Sequence, residues 1–257
     1  ALLGVPREVV VLDDDGIVEV RPSGVVASGL EGNPVTVTSR TVEWDLEAAE
    51  KGGYPDFMLK EIHEQPHAIL ETLRGRVGGD GLLVLDEVRL SDEELRSVDK
   101  VFVVGCGTSY HAGLVAKFAI EHWARLPVEI DIASEFRYRD PVLDSQTLVV
   151  GVSQSGETLD TMEATRQAKR CKAKVLAVSN VVDSSMAREA DAVLYTRAGP
   201  EIGVAATKTH LAQIVAMQVL ALYLAQLRGT VYPDESAQLL DALHSVPDAI
   251  EGVLANT

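Results

Sequence analysis

Two short stretches of this 257-residue sequence collect groups able to hold an anion. Ser153-Gln154-Ser155-Gly156-Glu157-Thr158 places three hydroxyls and one amide within six residues, directly after the apolar run Leu148–Val152. Gly105-Cys106-Gly107-Thr108-Ser109-Tyr110 follows the apolar run Val101–Val104 and adds two more hydroxyls. At a strand-to-helix turn the first backbone N–H groups of the helix have no partner within it. The helix dipole also favours negative charge there. Glycine lets the backbone approach a ligand closely. One such turn could be explained by helix capping, through Ser109 or a Ser-x-x-Glu start. Two of them on neighbouring strand ends point to phosphate binding. A third loop, Ala198 to Lys208, precedes a long apolar segment and could wall off the same site. Lys208 reads as a solvated cation rather than a catalytic amine.

Three other chemistries are set aside on spacing. A dinucleotide fingerprint needs a third glycine where Tyr110 stands, so no nicotinamide cofactor is expected. A hydrolase nucleophile elbow needs glycine where Ser155 stands. His63-Glu64-Gln65-Pro66-His67 matches the zinc-protease pattern, but Pro66 should break the helical turn that the metal site requires. Neither a metal nor any other cofactor is expected.

The elements that must position the loops follow from periodicity. Apolar strand candidates at Val101–Val104, Val128–Ala133, Leu148–Val152, Val175–Val178 and Ala192–Tyr195 are mostly separated by helical stretches: His111–Arg125, Leu159–Arg170 and Ser184–Ala190. A long helix from about Lys208 to Arg228 closes the block. The fold class is α/β, a five-stranded parallel sheet flanked by helices, with ligands at the carboxyl ends of its strands. Upstream, residues 1–46 read as β-rich. A hairpin is expected between Val9–Leu12 and Ile17–Val20 across Asp15-Gly16, with a further strand at Val35–Trp44. This block is too short to bury a core alone. Residues 47–95 read as a connector with helices at Asp56–Gln65 and His67–Leu73, broken at Pro66.

The net charge of −16 makes nucleic acid and anionic membrane surfaces poor partners. A phosphate would then be held by dipoles and hydroxyls rather than by the overall field. Leu211–Leu227 is the most apolar long stretch, but Gln213, Gln218 and Gln226 mark it as a buried helix rather than a membrane span. Cys106 and Cys171 form no metal or disulfide pattern, and no signal segment opens the chain, so a cytoplasmic location is expected. The start at Ala1 suggests a cropped or processed piece.

Five blocks carry a resemblance. CGTSYHAG (106–113) and SQSGETLDT (153–161) are similar to the signature loops of a sugar isomerase (SIS) domain, a flavodoxin-like fold. IASEFRYR (132–139) and EIGVAATK (201–208) resemble the isomerase half of glutamine–fructose-6-phosphate aminotransferase, and residues 51–76 resemble its connector. The resemblance implies a division into the end of a glutaminase domain (1–46), a connector (47–95), the first SIS domain (96–230) and the start of a linker (231–257). It implies that Ser109, Ser153, Ser155 and Thr158 bind the phosphate of fructose 6-phosphate. Thr108 and Gln154 would contact phosphate or sugar hydroxyls, with backbone help from Gly107 and Val204. Family members often carry serine where Ala206 stands. The whole enzyme would make glucosamine 6-phosphate and assemble as a homodimer through its isomerase half. Its N-terminal cysteine nucleophile and second SIS lobe are expected outside this stretch. A sugar-phosphate sensor and an aldose–ketose isomerase are the alternatives. The latter would need an acid/base pair, for which Glu157 and Glu201 are the nearby carboxylates.

Overall fold

A computed structural model describes residues 8–10, 15–22, 24–36, 39–41, 50–85 and 88–256. The chain divides into two compact units, residues 1–53 and 54–257.

In the first unit β1 (Glu8–Val10) pairs antiparallel with β4 (Ser39–Thr41), and β2 (Gly16–Arg21) pairs antiparallel with β3 (Gly24–Gly29). The hairpin therefore differs from the one expected. Ile17–Val20 turns back through Pro22 and Gly24 onto 24–29 rather than pairing with the segment before Asp15-Gly16. Proline is suited to a tight turn, and Gly24 takes φ +138°, which favours glycine. Of the expected strand at Val35–Trp44, only 39–41 is seen, its remaining ends lying partly outside the described residues. Among the described residues of this unit Ala27 is the buried apolar one, and Val20, Val25 and Val26 are exposed.

The second unit opens with α1 (Phe57–His63) and α2 (Gln65–Leu73). The break falls at Glu64, not at Pro66. Proline sits in the first turn of α2, where its missing N–H costs nothing. After α3 (Asp92–Arg96), closed by a capping box between Ser91 and Glu94, the α/β core begins. It comprises β5 (Lys100–Gly105), α4 (Thr108–Ala119), β6 (Val128–Ile132), α5 (Ala133–Tyr138), β7 (Thr147–Ser153), α6 (Leu159–Arg170), β8 (Lys174–Ser179), α7 (Ser185–Glu189), β9 (Ala192–Tyr195), α8 (Lys208–Arg228) and α9 (Pro233–Leu254). A π-helical turn at Ile120–Ala124 extends α4.

The five strands form one parallel sheet in the order β6-β5-β7-β8-β9. Alternation along each strand separates two apolar layers. Val101 and Val103 of β5, with Leu148 and Val150 of β7, pack with Ala116 of α4 and with Ala216 and Leu220 of α8. Phe102 and Val104, with Val149 and Val175, pack with Phe136 of α5 and Ala164 and Ala168 of α6. Both faces are covered, which is why the strands read as continuous apolar runs.

Helix α8 is long and apolar enough to cross a bilayer, yet 61% of its most apolar window is buried inside the molecule. Its glutamines explain the placement. Gln226 both donates to the Leu83 carbonyl (3.0 Å) and accepts from the Leu83 N–H (2.8 Å), pairing the backbone of an irregular segment that would otherwise be left unsatisfied. Residues 231–257, expected as the start of a linker, form α9 over most of their length. Leu239, Leu240, Leu243, Val246 and Ile250 recur at helical spacing and pack on the same core.

Candidate functional site

The strand order places the site. From β5 the chain moves outward to β6, then returns across β5 to β7 and continues to β8 and β9. Loops after β5 and β7 therefore diverge in opposite directions, leaving a crevice at the carboxyl ends of these adjacent strands. Gly105 pairs in register with Val152, so the two hydroxyl-bearing loops begin side by side, about 5 Å apart.

The loop after β7 is tied by its own hydroxyls. Ser153, 2% exposed, accepts a hydrogen bond from the Gly156 N–H (3.0 Å) and shares one with the Thr158 hydroxyl (2.9 Å). Ser155 accepts from the Glu157 N–H (3.1 Å). Thr158 occupies the N-cap of α6 but makes no side-chain capping bond. These pairings leave protons to spare. Ser153 and Thr158 carry two O–H groups and share one contact, so one O–H stays available. Ser155 uses only its oxygen, so its O–H is available too. Gly156 sits at φ +67° against Ser184, where a Cβ would run into the Ser184 hydroxyl. The Gln154 carbonyl accepts from the Asn180 N–H (3.0 Å).

The loop after β5 enters α4 earlier than expected, at Thr108 instead of His111, with Gly107 as N-cap at φ +57°. Ser109 is accordingly inside the first helical turn rather than capping it. It is buried, and its hydroxyl lies 3.2 Å from Oε1 and 3.1 Å from Nε2 of Gln213 on α8. Gly107 and Thr108 are exposed.

The third loop, 198–207, is built on carboxylates. Glu61 of α1, 2% exposed, accepts from the N–H groups of Ile202 (2.5 Å) and Gly203 (3.1 Å). Glu201 accepts from the N–H groups of Thr207 (2.9 Å) and Thr209 (3.3 Å) and from the Thr209 hydroxyl, closing the start of α8. Between these anchors Val204 stands fully exposed at φ +63°. Asn180 links this loop to the one after β7. Its side chain accepts from Ala198 N–H (2.8 Å) and donates to the Gly199 carbonyl (2.7 Å), while its own N–H holds Gln154.

Two expectations about charge change. Lys208 is not solvated. It is 3% exposed and its Nζ lies 2.6 Å from Glu64 Oε2, because the helix break at Glu64 turns that carboxylate toward α8. Glu64 is thereby engaged as a structural anion, and His63 and His67 fall on two different helices. Glu157 does cap a helix, but α7 rather than α6, by accepting from Ser185 N–H (2.8 Å).

His210, half-buried on α8, lies beside the Thr108 backbone, and its Nδ1 is buried without a partner. Burial first, and the neighbouring His111 second, push its pKa below the ordinary histidine value of 6.5; the Thr108 backbone and Glu201 oppose this. The folded pKa being the lower one, the unfolded chain takes up the proton first as pH falls. Stability from this group is therefore full above about pH 6.5 and declines below it. Urea titrations between pH 7.5 and 5.5 should show a shallower decline for His210→Phe than for the wild type. Equal slopes would contradict the assignment.

Sequence reasoning missed Glu61, Asn180, His210 and Gln213. Asn180 follows Ser179 at the end of an apolar strand as Gln154 follows Ser153, and that position was its available signal.

With this geometry in view, the SIS domain family model matches residues 94–223, half of the sequence and all five strands of the sheet. The chain belongs to the SIS domain family. It is 60% identical to glutamine–fructose-6-phosphate aminotransferase [isomerizing] of Mycobacterium leprae over 251 residues, covering 97% of this chain and 40% of that protein. It is 55% identical to the protein of the same name from Streptomyces coelicolor over 254 residues, covering 99% of this chain and 41% of that one. The chain thus spans about two fifths of the length of these relatives. Among solved structures, the C-terminal domain of glucosamine-fructose-6-phosphate aminotransferase from Francisella tularensis superposes with a TM-score of 0.76 at 39% identity, covering 80% of this chain and 57% of that one. The SIS-domain fold read from the sequence agrees with the five-stranded parallel sheet and with these relatives.

Proposed function

We propose that this chain is the fructose 6-phosphate-binding part of a glutamine–fructose-6-phosphate aminotransferase, an enzyme that makes glucosamine 6-phosphate and glutamate from fructose 6-phosphate and glutamine. The observation that carries the reading is the proton arithmetic of the loop after β7. Ser153 and Ser155 each have an oxygen lone pair occupied by a backbone N–H, which leaves two O–H groups of the Ser153–Ser155–Thr158 cluster free to donate. Such donors suit a phosphate dianion, and the N–H groups behind them strengthen them cooperatively.

In this reading Ser153, Ser155, Thr158 and Ser109 bind the phosphate, Thr108 and Gln154 meet phosphate or sugar hydroxyls, and the backbones of Gly107 and Val204 complete the contact. The division into glutaminase tail, connector and first SIS domain belongs to the same proposal, as do a homodimer and a cytoplasmic setting. The dimer surface would have to come from outside α8, whose apolar side chains are mostly spent in the core. No residue of this chain is assigned the chemical step. The aldose–ketose isomerase alternative is disfavoured, because Glu157 and Glu201 are both engaged in holding backbone N–H groups.

Isothermal titration with fructose 6-phosphate, with fructose as control, tests the reading. Binding that requires the phosphate group supports it. Equal response to fructose, or no response from a folded chain, counts against it.

A further inference from the structure

Helix α8 touches the loop after β5 at two consecutive residues. His210 lies beside Thr108, and Gln213, three residues on and hence on the same helix face, reaches the Ser109 hydroxyl. Gln213 is 1% exposed, and both ends of its amide lie at nearly equal distance from one oxygen, Ser109 Oγ. A single hydroxyl meets the two ends differently. Toward Oε1 it must spend its proton. From Nε2 it accepts a hydrogen and keeps its proton free. The same contact therefore supports two states of Ser109, one with its donor consumed and one with its donor available.

The geometry points to Gln213 as the positioning residue that decides whether Ser109 can donate to the ligand phosphate. Without a phosphate the hydroxyl donates to Oε1 while accepting from Nε2, so each group has a partner in the other. When a phosphate enters, the Ser109 O–H turns from Oε1 to it, while Gln213 Nε2–H, which donates to a lone pair of the same oxygen, holds the hydroxyl in place. Glutamine suits this task because it carries a donor and an acceptor on one planar group. Glutamate offers only acceptors, and an apolar side chain offers neither. This inference rests on the proposed sugar-phosphate site and deepens it.

Two variants of the same chain separate the possibilities. Gln213→Met keeps length and volume, so the fold should be retained, as a thermal melt will verify. Gln213→Glu leaves Ser109 an acceptor that holds its proton and adds negative charge beside the phosphate. Titration with fructose 6-phosphate is expected to show affinity lowered about tenfold in Gln213→Met and further in Gln213→Glu. In a Ser109→Ala background, Gln213→Met should cause no additional loss, because the residue it acts through is gone. A purely structural glutamine would give the same loss in both backgrounds. Unchanged affinity in Gln213→Met, or an equal loss with and without Ser109, overturns the role of Gln213 while leaving the site standing. A folded wild-type chain that binds neither fructose 6-phosphate nor inorganic phosphate overturns the site and this role together.

Discussion

Alanine at Ser153 and Ser155 together is expected to weaken fructose 6-phosphate binding by at least a hundredfold. Each hydroxyl that donates to a dianion contributes roughly 1.5–3 kcal/mol, or about ten- to a hundredfold in affinity. The two losses should not be equal. Ser155 holds only the Glu157 N–H, so Ser155→Ala removes a donor and frees a partly exposed amide. Ser153 is the buried hub that holds Gly156 N–H and meets Thr158, so Ser153→Ala also loosens the turn that aims Thr158. The larger effect is therefore expected from Ser153→Ala, with a small loss of melting temperature that Ser155→Ala lacks. Titration calorimetry on the two single variants and the double variant reads both quantities. Affinity within threefold of wild type in the double variant would remove the loop after β7 from the site.

Glu61→Ala is expected to cost about 3 kcal/mol of stability. The carboxylate is buried on α1 and holds the N–H groups of Ile202 and Gly203. Alanine would leave both without an acceptor and would remove the anchor on one side of Val204. For a chain of this size the loss corresponds to a melting temperature lower by roughly 6–12 °C. Glu61→Gln keeps one acceptor oxygen and should fall between. Differential scanning calorimetry decides the matter. A shift under about 2 °C in Glu61→Ala would mean that the 198–207 loop is held by other contacts.

What the sequence revealed and what it hid divide along physical lines. The boundaries of α6, α8 and β9 were legible to the residue, because apolar periodicity ends there at a polar residue or at Gly229. The two hydroxyl loops were legible because strand-end position and residue type are both local. The strand order was not written locally; that the strands carrying these loops are neighbours was an assumption of the α/β reading, and the pairing of β5 with β7 supplies it. Contacts between residues 104 and 142 positions apart, such as Ser109 with Gln213 and Glu61 with Gly203, have no local signature at all. Lys208 shows the same limit from the other side. A lysine reads as solvated until the fold brings Glu64 to it. The hairpin was misassigned because the Asp-Gly pair is a strong local turn signal, whereas the observed pairing of 16–21 with 24–29 turns at Pro22 instead.

The hydroxyls of the loop after β7 proposed to meet the phosphate are uncharged, while the chain as a whole carries −16. Proteins that seize phosphates with lysine and arginine lose affinity as salt rises, because dissolved ions compete for the same attraction. Here the sign should reverse. The approaching dianion meets a repulsive far field and an attractive near one. Salt at physiological strength shortens the reach of the first to about 8 Å without touching hydrogen bonds at 3 Å. The chain should therefore capture its ligand faster in salt than in pure water, an inversion that follows from using hydroxyls where many sites use cations.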